Sequence, residues 1–271
     1  MVSPESLVFN YDYSNPLDSL RLVPARIPSV GPTQIHVQFL AVPVNPLDFL
    51  VLHGRYPVRA KSQLILDSGE TYFVPGSDGA ARIVEAGISV GHLHPGDIVI
   101  LRTHCRGTWR THAILEAEDV LRVPSELDPK LSSLLRMGVM PAYFLLQDYH
   151  ELLPGDWIIQ NAATSTVSHF VSQFAQFYGV NIVSIIRDRT DAEERNRIER
   201  SLKCHGASLV LTESELANSD ALDGKRIVLA LDFVANDKLA SAMSAVLTPG
   251  GSLITGGFLG PDLVPEVNLR Q

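Results

Sequence analysis

The chain has 271 residues, 45% of them hydrophobic and 19% charged, with a mean hydropathy of +0.12, the balance of a well-buried globule long enough for two domains. A net charge of −8, a pI near 5.6 and no long basic run argue against nucleic acid or an anionic membrane as the main partner. Its two cysteines, Cys105 and Cys204, give neither a disulfide framework nor a C-x-x-C zinc signature, and no apolar run approaches the roughly 18 residues of a membrane span.

Residues 1–125 read as an all-β domain. Short apolar stretches at 7–9, 35–40, 81–85, 98–101 and 109–114 are separated by turn signals at Gly31-Pro32, Pro75-Gly76-Ser77-Asp78-Gly79, Pro95-Gly96-Asp97 and Arg106-Gly107. Many short strands with this punctuation predict a small barrel. Residues 126–271 form the second domain. Its start, 131–150, carries helical patterning interrupted at Pro141, and Pro154-Gly155-Asp156 leads into an apolar strand, Trp157–Gln160.

A turn of small residues follows, Asn161-Ala162-Ala163-Thr164-Ser165. Val167, Phe170, Val171, Phe174, Ala175 and Tyr178 then recur at a helical period until Gly179 caps the helix, and Asn181–Ile186 reads as a second buried strand. Strand, tight turn, helix, strand is the first βαβ unit of a dinucleotide-binding fold, in which a pyrophosphate sits on the unpaired N–H groups at the helix start. The usual G-x-G-x-x-G is absent. Ala162, Ala163 and Ser165 let backbone and phosphate approach but are not expected to supply the positive φ of glycine. Arg187-Asp188-Arg189 ends the second strand where an NAD site carries an acidic residue for the ribose hydroxyls. Two guanidinium forks fit a 2′-phosphate and point to NADP; ordinary surface charges after a strand are the other reading.

Thr190-Asp191-Ala192-Glu193 reads as a capping box that opens a helix, whose Glu193/Arg197 and Glu199/Lys203 pairs mark a solvated face. Strands are predicted at 208–212, 227–232 and 252–255, with a helix over 236–247 closed by Pro249-Gly250-Gly251. The chain then reaches Gly256-Gly257 and runs only sixteen residues past Thr255, too few for a crossover helix and a sixth strand.

Two sets of motifs resemble a known family. Pro75-Gly76-Ser77-Asp78-Gly79 through Gly91 and Pro95-Gly96-Asp97 resembles the barrel signature of medium-chain dehydrogenase/reductases. Asn45-Pro46-Leu47-Asp48 with Gly54-Arg55-Tyr56-Pro57, Gly107-Thr108-Trp109-Arg110-Thr111, Ile159-Gln160-Asn161-Ala162 and Arg187-Asp188-Arg189 resemble the mitochondrial 2-enoyl thioester reductases, over 7–257. The resemblance implies an α/β protein: an N-terminal GroES-like β-barrel plus a doubly wound parallel (Rossmann) sheet lacking its last strand. It implies NADPH-dependent, zinc-independent reduction of trans-2-enoyl thioesters on coenzyme A or acyl-carrier protein, in fatty acid synthesis. The mitochondrial matrix is the implied location, with the cytoplasm as the alternative because no presequence is visible.

By the same resemblance Tyr56 is the proton donor or enolate stabiliser, which suits a phenol that keeps its proton at neutral pH. Trp109 lines or supports the substrate pocket, and Asn45 holds the Tyr56 loop. Asn161, Ala162, Ala163, Thr164, Ser165, Val167, Arg187, Asp188, Arg189, Gly256 and Gly257 are the implied cofactor contacts. The residues alone leave Tyr56 and Trp109 readable as core aromatics, and Asn45 as turn chemistry before a proline. Zinc-dependent members of the superfamily place a Cys within the segment matching 44–48 and a His-Glu where Ser77-Asp78 stands. Neither is present, and His104, Cys105 and His112 need not converge, so no metal is expected.

The sequence departs from the family at three places. Gly138-Val139-Met140-Pro141-Ala142-Tyr143 keeps only the end of an Asn-Pro-x-Thr-Ala-Tyr-like stretch, and the Gly-Gly after the fourth strand is Ala235-Asn236. The family also continues past Gly257 into a sixth strand and a return segment. Ser252–Thr255 is therefore expected to be an uncovered edge that cannot form the family's edge-to-edge homodimer, with marginal stability as the consequence. A truncated paralogue that binds nucleotide at most, and a related quinone or enone reductase, are the alternatives.

Overall fold

In the computed structural model, which describes residues 3–66, 69–217 and 220–257, the chain divides between Arg136 and Met137 into two units. The first unit contains β1 (Glu5–Val8), β2 (Arg21–Pro24), β3 (Gln34–Ala41), α1 (Pro46–Leu52), β4 (Gln63–Ile65), β5 (Thr71–Phe73), β6 (Ala80–Ala86), β7 (Ile98–Leu101), β8 (His112–Glu116), β9 (Val120–Val123) and α2 (Pro129–Leu134). An antiparallel five-stranded sheet, in the order β8-β3-β6-β7-β9, carries the GroES-like barrel, and the β1-β2 and β4-β5 hairpins are linked by the Phe9↔Phe73 bridge. Alternation on β3 buries Ile35 and Val37 among Ile83, Val99, Leu101 and Ala113 and leaves His36 and Gln38 on the other face. Each such aliphatic chain contributes about 1.5–3 kcal/mol by leaving water.

Three expectations in this unit change. The residues after Asn45 form a helix, α1, in place of a turn: Pro46 stands in its first turn and Asp48 Oδ2 accepts the Asn45 N–H at 2.8 Å. The strand expected from 109 begins at His112. The N–H groups of Thr108 and Trp109 donate to Gly76 and Pro75 carbonyls, which holds that stretch against the Pro75-Gly76 turn. The unit also runs eleven residues past 125, because α2 packs on β3, β6 and β7 and Leu135 joins the Ile98/Ile100/Val123 cluster.

A π turn at Leu135–Val139 leads into the second unit, where Pro141 opens α3 (Met140–Gln147). There follow β10 (Trp157–Gln160), α4 (Thr166–Phe177), β11 (Asn181–Ile186), α5 (Ala192–Cys204), β12 (Leu209–Thr212), α6 (Glu213–Leu216), β13 (Ile227–Asp232), α7 (Asp237–Ala245) and β14 (Ser252–Thr255). All five strands are parallel, in the order β12-β11-β10-β13-β14, so the chain order reverses direction at β10. Ile158 and Ile182 pack with α3 and α4 on one face, and Ile159 and Val183 pack with α6 and α7 on the other. Burial on both faces explains why β10, β11 and β13 are largely apolar, with Ser184 the one polar residue in the interior of β11. The cap of α5 is Asp191, whose side chain accepts the Glu193 N–H, one residue later than the box read from Thr190. β14 stands at one edge of the described sheet; the expected missing sixth strand falls on residues outside those described.

Candidate functional site

β10 delivers the chain into the turn at Asn161, which is 1% exposed. Its Nδ2 donates to Asp232 Oδ1 at 2.6 Å and its Oδ1 accepts the Phe233 N–H at 2.7 Å. Both polar ends of this amide are therefore engaged in holding β10 to the end of β13. Asp232 also accepts the Val234 and Ala235 N–H groups and the Thr255 hydroxyl, and was not singled out by sequence. An acidic residue closing the wholly apolar run of β13 was the available signal.

Ala162 adopts φ 44, in the left-handed region, so an alanine supplies what was expected only of glycine. Ser165 caps α4: its Oγ accepts the Ser168 N–H and donates to Ser168 Oγ at 2.9 Å, while the Ser165 N–H closes the turn onto Ala162 O. The N–H groups of Thr166 and Val167 have no acceptor among the described residues, as the first turn of a helix leaves them. Ala163 is buried and Thr164 is exposed. Such a helix start, reached through a left-handed residue, fits an anionic pyrophosphate.

The arginine pair is not symmetric. Arg189 Nε lies 3.5 Å from Glu194 Oε1, and its Nη1 donates to the carbonyls of Arg187 and Asp188. Asp188 accepts the Ser214 hydroxyl at 2.8 Å, and the Ser214 and Thr212 hydroxyls hold its carboxyl below the usual range. Arg187 is exposed and has no ion pair among the described residues. Of the two guanidiniums that the sequence offers, Arg187 is therefore the less engaged. Gly256 donates its N–H to Asp232 O, and a Cβ on Gly257 would stand 2.2 Å from Phe233 O, so the β14 end tolerates only glycine there.

In the first unit the Leu50 carbonyl at the C-terminal end of α1 accepts the N–H groups of Arg55 and Tyr56, which fixes the Tyr56 segment. Tyr56 is half-buried among Leu47, Val51, Leu52 and Phe9, with the His104 ring edge-on at 5.5 Å between centroids. Burial, and then the charges of Arg136 and Lys61, push His104 down. Trp109 shares the cluster and donates Nε1–H to Pro43 O at 3.4 Å, pinning the strand exit just ahead of Asn45. Gly76, at φ +99, allows this: a Cβ there would meet the Trp109 ring at 2.4 Å. Asn45 Nδ2 is buried without an acceptor.

Behind α1 lies a buried polar group whose pairing with Arg136 the sequence did not reveal. Asp48 is 1% and Asp78 3% exposed; Arg136 Nη2 reaches Asp78 Oδ1 at 2.6 Å and donates to Ser77 O at 2.9 Å. Burial pushes Asp78 up to about 6 against the pull of Arg136, with the Asp48 charge adding to the rise. His112 meets His36 at 3.1 Å and forms no cluster with His104 and Cys105.

A family model described as the alcohol dehydrogenase GroES-like domain matches residues 31–153. That barrel, joined to a parallel sheet with a nucleotide-type turn, defines a medium-chain dehydrogenase/reductase. The mitochondrial enoyl-[acyl-carrier-protein] reductase of Homo sapiens is 33% identical over 271 residues, covering 97% of this chain and 68% of that protein. That of Rattus norvegicus is 33% identical over 252 residues, covering 91% and 64%. The chain belongs to the mitochondrial enoyl-[acyl-carrier-protein] reductase family, and spans about two thirds of the length of these relatives. Among solved structures, a complex of Etr1p with NADP and crotonyl-CoA superposes with a TM-score of 0.83 at 28% identity, covering 96% of this chain and 76% of that one. The mitochondrial 2-enoyl thioester reductase Etr1p/Etr2p heterodimer of Candida tropicalis does so at 0.82 and 27%, with the same coverage.

Proposed function

We propose that the chain reduces trans-2-enoyl thioesters with NADPH, saturating acyl groups on coenzyme A or acyl-carrier protein during mitochondrial fatty acid synthesis. The observation that carries this reading is the extent of the relationship. It spans 97% of the chain at 33% identity, and the similar Etr1p structure is that of a complex with NADP and crotonyl-CoA. The matrix is the location assigned, because the relatives are named mitochondrial.

When bound, NADPH supplies a hydride for the β-carbon of the enoyl group. The first turn of α4 would hold its pyrophosphate and Arg187 its 2′-phosphate, with Asn161 fixing the start of the turn through Asp232 and Gly257 leaving room for the Phe233 carbonyl. Thr164, Ser165 and Val167 border the phosphates through the helix start. As the hydride arrives, charge builds on the thioester oxygen, which needs a hydrogen-bond donor, and the α-carbon then takes a proton. Tyr56 is assigned the donor role, and Asn45, with its unengaged Nδ2, a supporting hydrogen bond. Trp109 positions Asn45 through Pro43. No catalytic zinc is invoked: Ser77 and Asp78 occupy the places of its ligands, and the Arg136 cation already pairs there.

The test is NADPH oxidation with crotonyl-CoA, followed by nicotinamide absorbance and by mass spectrometry of the thioester. Stoichiometric butyryl-CoA is expected, and Tyr56→Phe should lower the rate by about 10²–10⁴-fold. Nucleotide binding without thioester reduction, or turnover of a quinone alone, would contradict the assignment.

A further inference from the structure

β3 and β8 pair antiparallel, with His36 opposite Ile114 and Gln38 opposite His112, so His36 and His112 are diagonal neighbours on one face of the ladder. Their rings lie 5.2 Å apart between centroids, and His36 Nε2 and His112 Nδ1 face each other at 3.1 Å. Two metal–imidazole bonds of about 2.0–2.1 Å put their nitrogens about 2.9 Å apart at a right angle and about 3.3 Å apart at the tetrahedral angle. The observed 3.1 Å falls between these values. The two nitrogens are thus already within hydrogen-bonding distance of each other.

We propose that His36 and His112 form a two-histidine chelate for a borderline divalent metal ion of the zinc, nickel or copper type, with water completing its coordination. Both side chains are half-buried, which leaves the outer side of the pair open to solvent. His112 Nε2 is buried without a partner, so Nδ1 is the nitrogen this ring offers a ligand. On β6, Glu85 stands directly opposite His36 and Arg82 opposite Gln38. These two charges oppose each other, and no third His, Cys, Asp or Glu among the described residues converges on the pair, so affinity rests on the two imidazoles. The site lies within the β3–β8 ladder and does not depend on the reductase assignment.

The experiment is calorimetric titration of zinc sulfate into the full chain in a non-coordinating buffer. One saturable site is expected at about pH 7.5. His36→Gln and His112→Gln should each weaken it about tenfold or more, with unchanged far-ultraviolet circular dichroism. On the unmodified chain, the electron paramagnetic resonance of added copper(II) should report two nitrogen ligands. Absence of saturable binding, the same isotherm in both variants, or sulfur ligation from Cys204 would each overturn the proposal.

Discussion

Asn161 and Asp232 meet at 2.6 Å, at the ends of two adjacent parallel strands, and through Phe233 and Thr255 the same network extends to β14. A side-chain amide and a buried carboxylate thus close the floor on which the nucleotide turn is built. Removing the amide leaves the Phe233 N–H without its acceptor and takes one donor from a carboxylate that is 1% exposed. Asn161→Ala is expected to destabilise the second unit by about 2–4 kcal/mol, read by urea unfolding. A change below about 0.5 kcal/mol would show that this pair does not hold the strand ends.

Ala162 and Ala235 both adopt positive φ, 44 and 58. For an L residue this conformation costs about 1–2 kcal/mol, part of which glycine recovers before its larger unfolded-state entropy is counted. Ala235 is exposed, whereas Ala162 packs against the cluster around Val171 and Leu231. Ala235→Gly should therefore raise stability by about 0.5–1 kcal/mol and Ala162→Gly by less, measured by thermal unfolding. The reverse order would contradict the strain argument.

Asp78 has a carboxyl raised by burial from 3.8 to about 6 in the folded chain. A group whose folded value exceeds its unfolded one binds the proton more tightly when folded. Its stabilising contribution is complete below about 4 and is lost as the pH rises through about 6. Relative to Asp78→Asn, the unaltered chain should gain stability as the pH falls from about 7 to about 4.5, in chemical unfolding at a series of pH values. A difference between the two proteins that does not change over that interval would contradict the assignment.

The sheet of the second unit was legible because its central strands β10, β11 and β13 are buried on both faces. Ile227–Asp232 and Ser252–Thr255 appear at the positions their apolar runs predict, and the period from Val167 to Tyr178 marks α4. The first unit was less legible. β2, β4, β5 and β9 are only three or four residues long, too short to show alternation. Pro46–Leu52 is dominated by Leu, Phe and Val and resembles a strand, although Asn45, Pro46 and Asp48 carry the start signals of a helix. At the site, residue types did not reveal the partners of each side chain. Nothing local to Arg187-Asp188-Arg189 says that Glu194, one turn into α5, takes one of the two guanidiniums. The left-handed Ala162 was hidden for a different reason: side-chain identity biases φ, and the tertiary structure overrode that bias.

The most direct test of the nucleotide assignment is calorimetric titration of the chain with NADPH and with NADH, repeated for Arg187→Ala and Arg189→Ala. NADPH is expected to bind about tenfold or more tightly than NADH, a preference erased by Arg187→Ala and only reduced by Arg189→Ala, whose guanidinium already pairs with Glu194. Equal affinity for the two nucleotides, or binding of neither, would contradict the account.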